Sequence, residues 1–475
     1  MNYRKTKIVA TIGPATSSKA MLKKIIKAGV NVCRVNFSHG NYEDHEQVIH
    51  NIREINTELG THTAILADLQ GPKIRVGKIE NNGIMLKNGS KFILTTTKCE
   101  GNAEKAYISY QNFPKDVKPK ERILLDDGKL ALEVVSTNRK DEVITKVIHG
   151  GKLSSNKGVN LPNTKVSLPS LTAKDLEDLK FALKMNISWI GLSFVRNARD
   201  IIELRHLIAK AKSNAKIVAK IEKPEAVAEI DDIIKETDAI MVARGDLGVE
   251  IPFHKVPLTQ KMIVKKCMQA AKPVIIATQM MESMIENITP TRAEVNDVAN
   301  AVLDGADAVM LSAETSVGKH PVAVIKAMAS IIENVETSDS LYHYEYPPDE
   351  NNEERYITDS ICFNSCRLAH RTNAAAIVTM TFSGYTGFKV SSFRPRAGIF
   401  VFTGNKDILN MLSLVWGVKV FYYDKFVSTD HTIADIKYIL KKEKRIKSKD
   451  LVINLASMPI SEKGQTNMMK LSIVD

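Results

Sequence analysis

Lys216-Ile217-Val218-Ala219-Lys220-Ile221-Glu222 and, about one helix further on, Ala239-Ile240-Met241-Val242-Ala243-Arg244-Gly245-Asp246-Leu247-Gly248 are two short apolar runs, each ending in charged residues. A buried parallel strand reads this way, with continuous β-branched residues and polar groups only where the chain leaves the sheet. Lys220 and Glu222 are two residues apart, so on a strand both point to one face. An ammonium and a carboxylate there, joined by Asp246 from the next strand end, make a hard-cation site with a built-in positive charge. Mg²⁺ takes one or two protein carboxylates and leaves its other positions to water and substrate phosphate, which suits phosphoryl transfer. Taken singly, each segment also reads as charged residues ending a strand in a solvated loop.

Working outward, apolar strands alternate with longer helical patterns through the first 335 residues, as in a parallel α/β fold. Eight strands are expected: Lys7–Thr11, Asn31–Asn36, Ala64–Asp68, Ser188–Phe194, Lys216–Ile221, Ala239–Ala243, Pro273–Thr278 and Ala308–Ser312. Helical patterns follow, among them Lys19–Ala28, Tyr42–Leu59, Leu176–Lys184 and Ala198–Lys210. Eight strands close a barrel. Its strand ends carry Thr11; Arg34 with Asn36, Ser38 and His39; Asp68; Ser193 and Arg196; Lys220 and Glu222; Arg244 and Asp246; Thr278 and Gln279; Ser312 and Glu314. In a (β/α)₈ barrel these ends converge on one face, where active sites lie.

The alternation breaks once, between Asp68 and Ser188. Asn81-Asn82-Gly83, Asn88-Gly89 and Asp126-Asp127-Gly128 fall there between short β-branched runs, the texture of hairpins in a small all-β domain. Inserted in a βα loop, such a domain sits over the active-site face and can act as a lid. After the polar, Pro-containing stretch Tyr344–Glu354 comes a smaller α/β domain: helix Ile357–His370, strand Ala375–Thr379, helix Thr386–Phe393, strand Gly398–Thr403, then strands Val418–Tyr423 and Asp450–Leu455 leading to Lys470–Val474. The expected division is therefore barrel, residues 1–70; inserted β lid, 71–165; barrel, 166–338; C-terminal α/β domain, 339–475.

At 475 residues the chain is too long for one core, and 44% hydrophobic with 25% charged residues describes an ordinary globular protein. No apolar run reaches the length of a membrane span. Met1–Lys7 leads straight into a strand without the apolar stretch of a signal peptide. The five cysteines form no CxxC, and Cys362 and Cys366 stand at helical spacing, as core residues do, so a reducing cytoplasm is expected. The net charge of +12 points to anionic partners. Apart from Lys441–Lys447 the basic residues are dispersed and lack interleaved aromatics, which disfavours nucleic acid and favours phosphorylated metabolites.

Thr6–Pro14, Val35–Gly40, Gly71-Pro72-Lys73-Ile74-Arg75, Lys157–Pro162, the two metal segments, Ala277–Met284, Asp297–Ala301 and Leu311–Thr315, in this order, resemble the pyruvate kinase family. The resemblance spans the barrel, the insert and, more loosely, the tail. It implies transfer of a phosphoryl group from phosphoenolpyruvate to ADP, giving pyruvate and ATP. Glu222 and Asp246 are then expected to hold Mg²⁺ or Mn²⁺, and Lys220 to lie against the transferring group. Arg34 is a second phosphate clamp, and Thr278 stands near the methylene that is protonated. Ala243, Arg244, Gly245 and Asp246 offer backbone N–H groups to the substrate carboxylate. Thr11, Pro14, Asn36, His39, Arg75 and Lys157 match the nucleotide side, although His39 also reads as a structural hydrogen-bonder. Asn36, Ser38 and Asp68 match ligands of a monovalent cation in many relatives. Here Lys73 stands where those relatives have an acidic residue, and Leu69-Gln70 replaces a Thr-Lys pair, so K⁺ is expected to be dispensable.

In the tail, Thr381, Ser383, Gly384, Tyr385 and Thr386 open a helix and match an effector loop. The last loop, Ser457–Asn467, lacks the tryptophan and arginine that hold a second phosphate in some relatives and carries Glu462 beside Lys463. AMP or a sugar monophosphate is the expected activator, and a homotetramer the expected assembly. Gly13–Lys19 lacks the Gly-Lys-Ser/Thr ending of a phosphate loop, and Arg244-Gly245-Asp246 as an adhesion tripeptide is chance. Two other classes remain to be separated. A Mg²⁺-dependent barrel aldolase or lyase would share the carboxylate pair but have little use for Lys220 and the lid. A non-catalytic binding protein would have lost catalytic positions, and none is lost.

Overall fold

The computed structural model describes residues 3–162, 164–425, 428–458 and 465–475. Eight parallel strands, β1 (Lys7–Ile12), β2 (Val32–Asn36), β3 (Ala64–Asp68), β4 (Trp189–Leu192), β5 (Lys216–Ile221), β6 (Ala239–Ala243), β7 (Val274–Ala277) and β8 (Ala308–Leu311), pair in sequence order and close, β8 against β1. The expected (β/α)₈ barrel is thus the observed one. Nearly all strand residues are buried on both faces, inside by each other and outside by the helices.

Three strands end earlier than their apolar runs. Phe194, Thr278 and Gln279 have φ of 55°, 71° and 54°. This left-handed backbone breaks the ladders of β4 and β7 and swings the following residues into the barrel mouth. Non-glycine residues held so are strained, and such strain concentrates at functional sites.

The insert after β3 forms a six-stranded sheet in the order Val159–Asn160, Arg122–Leu125, Leu130–Thr137, Glu142–His149, Lys91–Thr95, Lys105–Tyr107, with a separate two-stranded ribbon. Asn81, Asn82, Asp126 and Asp127 all take positive φ beside their glycines, as the turn chemistry requires. Phe92, Phe113 and Leu132 belong to a core of its own. The entry to the insert is fixed by Asp175. This carboxylate completes the capping box of helix Ala173–Lys184 with Thr172, and its other oxygen accepts the Gly71 N–H at 2.9 Å. Gly71 has φ +69°, and a Cβ there would lie 2.9 Å from both Phe194 Cδ2 and Ser193 Cβ. Gly71→Ala is therefore expected to lower stability by ~1–3 kcal/mol and to reduce kcat, because it displaces strand end β4. Thermal unfolding and steady-state rates check this. Gly60→Ala, at φ +62° with nothing within 4 Å, should cost only the backbone strain and leave kcat unchanged.

The C-terminal domain is a five-stranded sheet. Its strands are β9 (Ala376–Met380), β10 (Gly398–Thr403), β11 (Val418–Tyr422), β12 (Leu451–Ala456) and β13 (Met468–Ile473), in the order β11-β10-β9-β12-β13, with only β13 antiparallel. It packs on the barrel: the Trp189 indole N–H of β4 donates to the Met411 carbonyl, and the Lys5 ammonium donates to the carbonyls of Pro395, Arg396 and Ala397. The sequence reading assigns no element between Tyr423 and Asp450. The structure has helix Thr429–Lys442 there, capped by Ser428 and burying Ile433, Ile436 and Leu440. Cys33, Cys267, Cys362 and Cys366 are buried free thiols. Among the described residues no helix is long and apolar enough to cross a membrane.

Candidate active site

Strands β2, β3, β4 and β5 deliver their last side chains to one line of charge across the barrel mouth. The Arg34 guanidinium grips Asp68 through Nε and Nη2, and its Nη1 donates to Thr11 Oγ1 at 3.0 Å. The other oxygen of Asp68 lies 3.2 Å from Lys220 Nζ. Lys220 continues the line to Glu222 at 3.0 Å and donates to Ser193 Oγ at 2.7 Å. Glu222 also accepts the Phe194 N–H at 2.9 Å. Asp68 and Glu222 are almost fully buried and Lys220 nearly so.

The electrostatics follow from this order. Burial alone would neutralise Asp68, but the charges of Lys220 and Arg34 outweigh it and hold the carboxyl below its usual range. Burial likewise opposes the Lys220 charge, yet Asp68 and Glu222 keep the ammonium pKa above its ordinary value. Glu222 is the exception. Burial raises it, Lys220 counters, and the nearby charge of Asp246 raises it further. Two carboxylates that repel in a buried place are what a divalent cation relieves. Among the described residues no group of three or more His, Cys, Asp or Glu side chains is placed to hold a metal. Two carboxylates, Glu222 and Asp246, would suit an ion that keeps water and substrate oxygens as its remaining ligands.

Asp246 lies in the first turn of helix Arg244–Glu250, which starts directly at the end of β6. The Gly245 N–H from the same turn donates to Thr278 Oγ1 at 2.7 Å, and Thr278 in turn donates to the Ala277 carbonyl. The Arg244 side chain turns away from the mouth into a bidentate pair with Asp297, 2.7 Å at each contact, and donates to the Thr278 carbonyl at 2.8 Å. Arg244 thus contributes its backbone on one side and anchors the strained Thr278 turn on the other. Ser193, Asp297 and Asp175 hold the site together yet carry no role in the sequence reading. Thr172 and Asp175 carry the local spacing of a capping box, but the contacts that hold the site are tertiary, each with a partner at least 27 residues away.

The remaining expected residues divide between barrel and insert. Thr11, Pro14, Asn36 and His39 line one cavity of about 820 Å³ that also reaches Arg34. His39 is exposed on its rim, and Asn36 Oδ1 accepts the Ser38 N–H at 3.1 Å. Arg75 and Lys157 lie outside that cavity, on the insert. Arg75 donates to the Asn156 carbonyl at 3.0 Å, and Lys157 pairs with Asp126 at 2.9 Å. Lys73 Nζ stands 3.7 Å from Asp246 Oδ1, so its contact is with the proposed metal carboxylate, while Asp68 is paired with Arg34 and Lys220. Leu69 is buried, and its carbonyl accepts from Ser193 at 2.7 Å.

In the C-terminal domain, Gly384 caps helix Tyr385–Ser392 with φ +85°. The loop is internally bonded: the Gly384 N–H reaches Thr381 Oγ1, the Tyr385 N–H reaches Ser383 Oγ, and Thr386 Oγ1 meets Thr466 Oγ1. Glu462 and Lys463 lie outside the described residues.

Comparison with known proteins decides the family. Residues 3–325 match the family model "Pyruvate kinase, barrel domain", and residues 359–472 match "Pyruvate kinase, alpha/beta domain". The chain belongs to the pyruvate kinase family. It is 44% identical over 474 residues to the pyruvate kinase of Geobacillus stearothermophilus, covering 99% of this chain and 80% of that one. It is 42% identical over 472 residues to that of Corynebacterium efficiens, covering 99% and 98%. The crystal structure of a pyruvate kinase from Cryptosporidium parvum superposes with a TM-score of 0.91 at 36% identity, covering 99% and 96%. The pyruvate kinase fold of barrel plus C-terminal α/β domain is the one described above, and the enzyme is a phosphotransferase.

Proposed function

We propose that this pyruvate kinase transfers the phosphoryl group of phosphoenolpyruvate to ADP in a Mg²⁺-dependent reaction at the mouth of the barrel. The observation that carries this reading is the buried line Arg34–Asp68–Lys220–Glu222, which fixes two cations without leaving either free to swing. Mg²⁺ or Mn²⁺ held by Glu222 and Asp246 would neutralise charge on the enolate and phosphate oxygens. Lys220, charged and held by Ser193, Asp68 and Glu222, stands ready for a loose transition state without reorganising. Arg34, oriented by Asp68 and Thr11, offers its planar fork to the phosphate. Thr278 orders the water that delivers a proton to the methylene carbon, and the first turn after β6 receives the substrate carboxylate. Thr11, Pro14, Asn36 and His39 take the nucleotide, with Arg75 and Lys157 arriving from the lid. Chelation should abolish turnover and Mg²⁺ or Mn²⁺ restore it; activity persisting in EDTA would overturn the metal assignment.

The same reading makes K⁺ dispensable. The Lys73 ammonium supplies a covalently attached positive charge beside the site, and Asn36, Ser38 and Asp68 act as scaffold. Its contact with Asp246 also ties the base of the lid to the barrel. Rates in tetramethylammonium buffer with and without KCl should agree within a few-fold. Activation beyond about tenfold, ~1.4 kcal/mol, would show that the ion is needed.

Activation through the C-terminal domain by AMP or a sugar monophosphate bound at Thr381–Thr386, a homotetrameric assembly and a cytoplasmic location complete the proposal. The loop hydroxyls at the start of helix Tyr385–Ser392 support the effector assignment. Titrating phosphoenolpyruvate cooperativity against AMP, glucose 6-phosphate and fructose 1,6-bisphosphate tests it, and strong activation by the bisphosphate alone would overturn it.

A further inference from the structure

A cavity of about 1310 Å³ lies far from the barrel mouth. It opens at the other end of the C-terminal sheet from the Thr381–Thr386 loop. Ala374 and Ala375, Gly398 and Asp450 line it, and these residues precede or begin β9, β10 and β12. The loop follows the opposite end of β9. Five strand residues separate the two places by roughly 17 Å.

The walls come from three parts of the chain. Tyr3 and Lys5 precede β1, Asp339 and His343 belong to the connection out of the barrel, and the rest belongs to the C-terminal domain. A molecule seated here touches barrel, connection and C-terminal domain together.

The charge of the lining is one-sided. Among the described residues, Lys444, Arg445 and Lys447 have no carboxylate within ion-pair distance, and the buried Arg445 Nε has no hydrogen-bond partner. The two acidic residues in the lining are already engaged. Asp339 pairs with Arg396, and Asp450 accepts the Lys447 backbone N–H at 2.8 Å. Lys441 is satisfied by the Asp475 carbonyl at 2.7 Å. Lys5 and Arg396 belong to the same lining. Burial pushes the Lys5 ammonium down to about 7; Glu336 pulls it up, and Arg396 adds a smaller push down. Such crowding of like charges in a concave, partly buried place costs stability unless an anion offsets it.

The cavity also has flat walls. The His343 and His370 rings stand 3.7 Å apart, and the Arg445 guanidinium lies 5.8 Å over the Tyr3 ring. A concave site with convergent cations and ring faces suits a small molecule and not an extended polymer. Its volume exceeds the roughly 300–1,000 Å³ of ordinary small-molecule sites, leaving room for a metabolite and its water.

We propose that this cavity is a second anion site, taking the phosphate monoester of a small metabolite among Lys444, Arg445 and Lys447, with the organic part against the rings of Tyr3, His343 and His370. Because it joins barrel and C-terminal domain, occupancy stiffens their junction. It is separate from the loop at Thr381–Thr386 and stands whether or not that loop binds an effector.

Calorimetric titration of the full-length protein tests this, with AMP, ribose 5-phosphate and glucose 6-phosphate as probes. The titrations use a Ser383→Glu background, in which an added carboxylate repels phosphate from the loop. One equivalent of at least one probe should still bind. Adding Lys444→Glu and Lys447→Glu, both exposed positions, should weaken that binding by about tenfold or more. Neither residue touches the barrel mouth, so kcat at saturating phosphoenolpyruvate should stay within about twofold, which also reports intact folding. Arg445→Met, which removes charge without reversing it, should weaken binding in the same direction. Tighter binding of AMP than of ribose 5-phosphate assigns the rings to a base, and preference for glucose 6-phosphate assigns them to a sugar. Failure of all three probes to bind the Ser383→Glu protein would overturn the proposal. So would an affinity indifferent to Lys444→Glu and Lys447→Glu.

Discussion

Lys220→Met should lower kcat by roughly 10²–10³ or more while leaving half-saturation by phosphoenolpyruvate and Mg²⁺ within a few-fold of the wild type. The methionine keeps the length and apolar body of the side chain, so β5 should pack unchanged. What disappears is the positive charge that Ser193, Asp68 and Glu222 hold in place. Asp68 retains Arg34, so it stays ionised and keeps the phosphate clamp oriented. Glu222 retains the Phe194 N–H, and the proposed metal would keep both of its carboxylates. Substrate therefore still binds, and the loss falls on the step in which the bond from phosphorus to the enolate oxygen breaks, leaving its electron pair on that oxygen, as phosphorus bonds to an oxygen of ADP. A variant with near-normal kcat would take Lys220 out of the reaction. Equal losses in kcat and in metal affinity would mean that the lysine acts by supporting Glu222.

Glu222→Gln should have the opposite signature. Loss of an outer-sphere partner alone weakens a metal site by about 10–100-fold, so loss of a direct carboxylate should raise the half-saturating Mg²⁺ by at least about 10²-fold. Saturating metal should recover much of kcat. The wild type carries a further mark. Burial and the charge of Asp246 raise the Glu222 carboxyl, so it takes up a proton above the ordinary carboxylate range of about 4.3. Metal must displace that proton. As pH falls from neutral toward the ordinary range, the Mg²⁺ requirement of the wild type should climb, and it should level off above the raised pKa. In Glu222→Gln this dependence should largely vanish, because glutamine does not titrate. Mg²⁺ titrations of initial rate at several pH values measure both effects. An unchanged metal requirement in the variant would remove Glu222 from the ligand set.

The barrel was legible because each strand is buried on both faces and therefore reads as a continuous apolar run. Lys216–Ile221 and Ala239–Ala243 have the same limits in sequence and structure. Side chains at strand ends, such as Arg34, Asp68 and Lys220, were legible for the same reason: the fold sends every strand end to one mouth. Their partners were not. Asp68 stands between two cations only because β2, β3 and β5 are brought into one register, and the pairing of Arg244 with Asp297 joins residues 53 apart. Nothing local marks either contact. Helix Thr429–Lys442 shows a different failure. Its buried Ile433, Ile436 and Leu440 form a narrow stripe, and the flanking Lys441–Lys447 charge run dominates the local composition. That same run, noted in the sequence only as the one cluster among dispersed basic residues, lines a cavity, which only the packing of the C-terminal sheet against the barrel's first residues could reveal.

The most direct measurement is the stoichiometry of products formed from phosphoenolpyruvate by the purified protein with Mg²⁺, in the presence and absence of ADP. One ATP should appear for each pyruvate, with no pyruvate formed when ADP is left out. Pyruvate released at a comparable rate without ADP would contradict phosphoryl transfer to the nucleotide, and with it the roles given to Lys220 and Arg34.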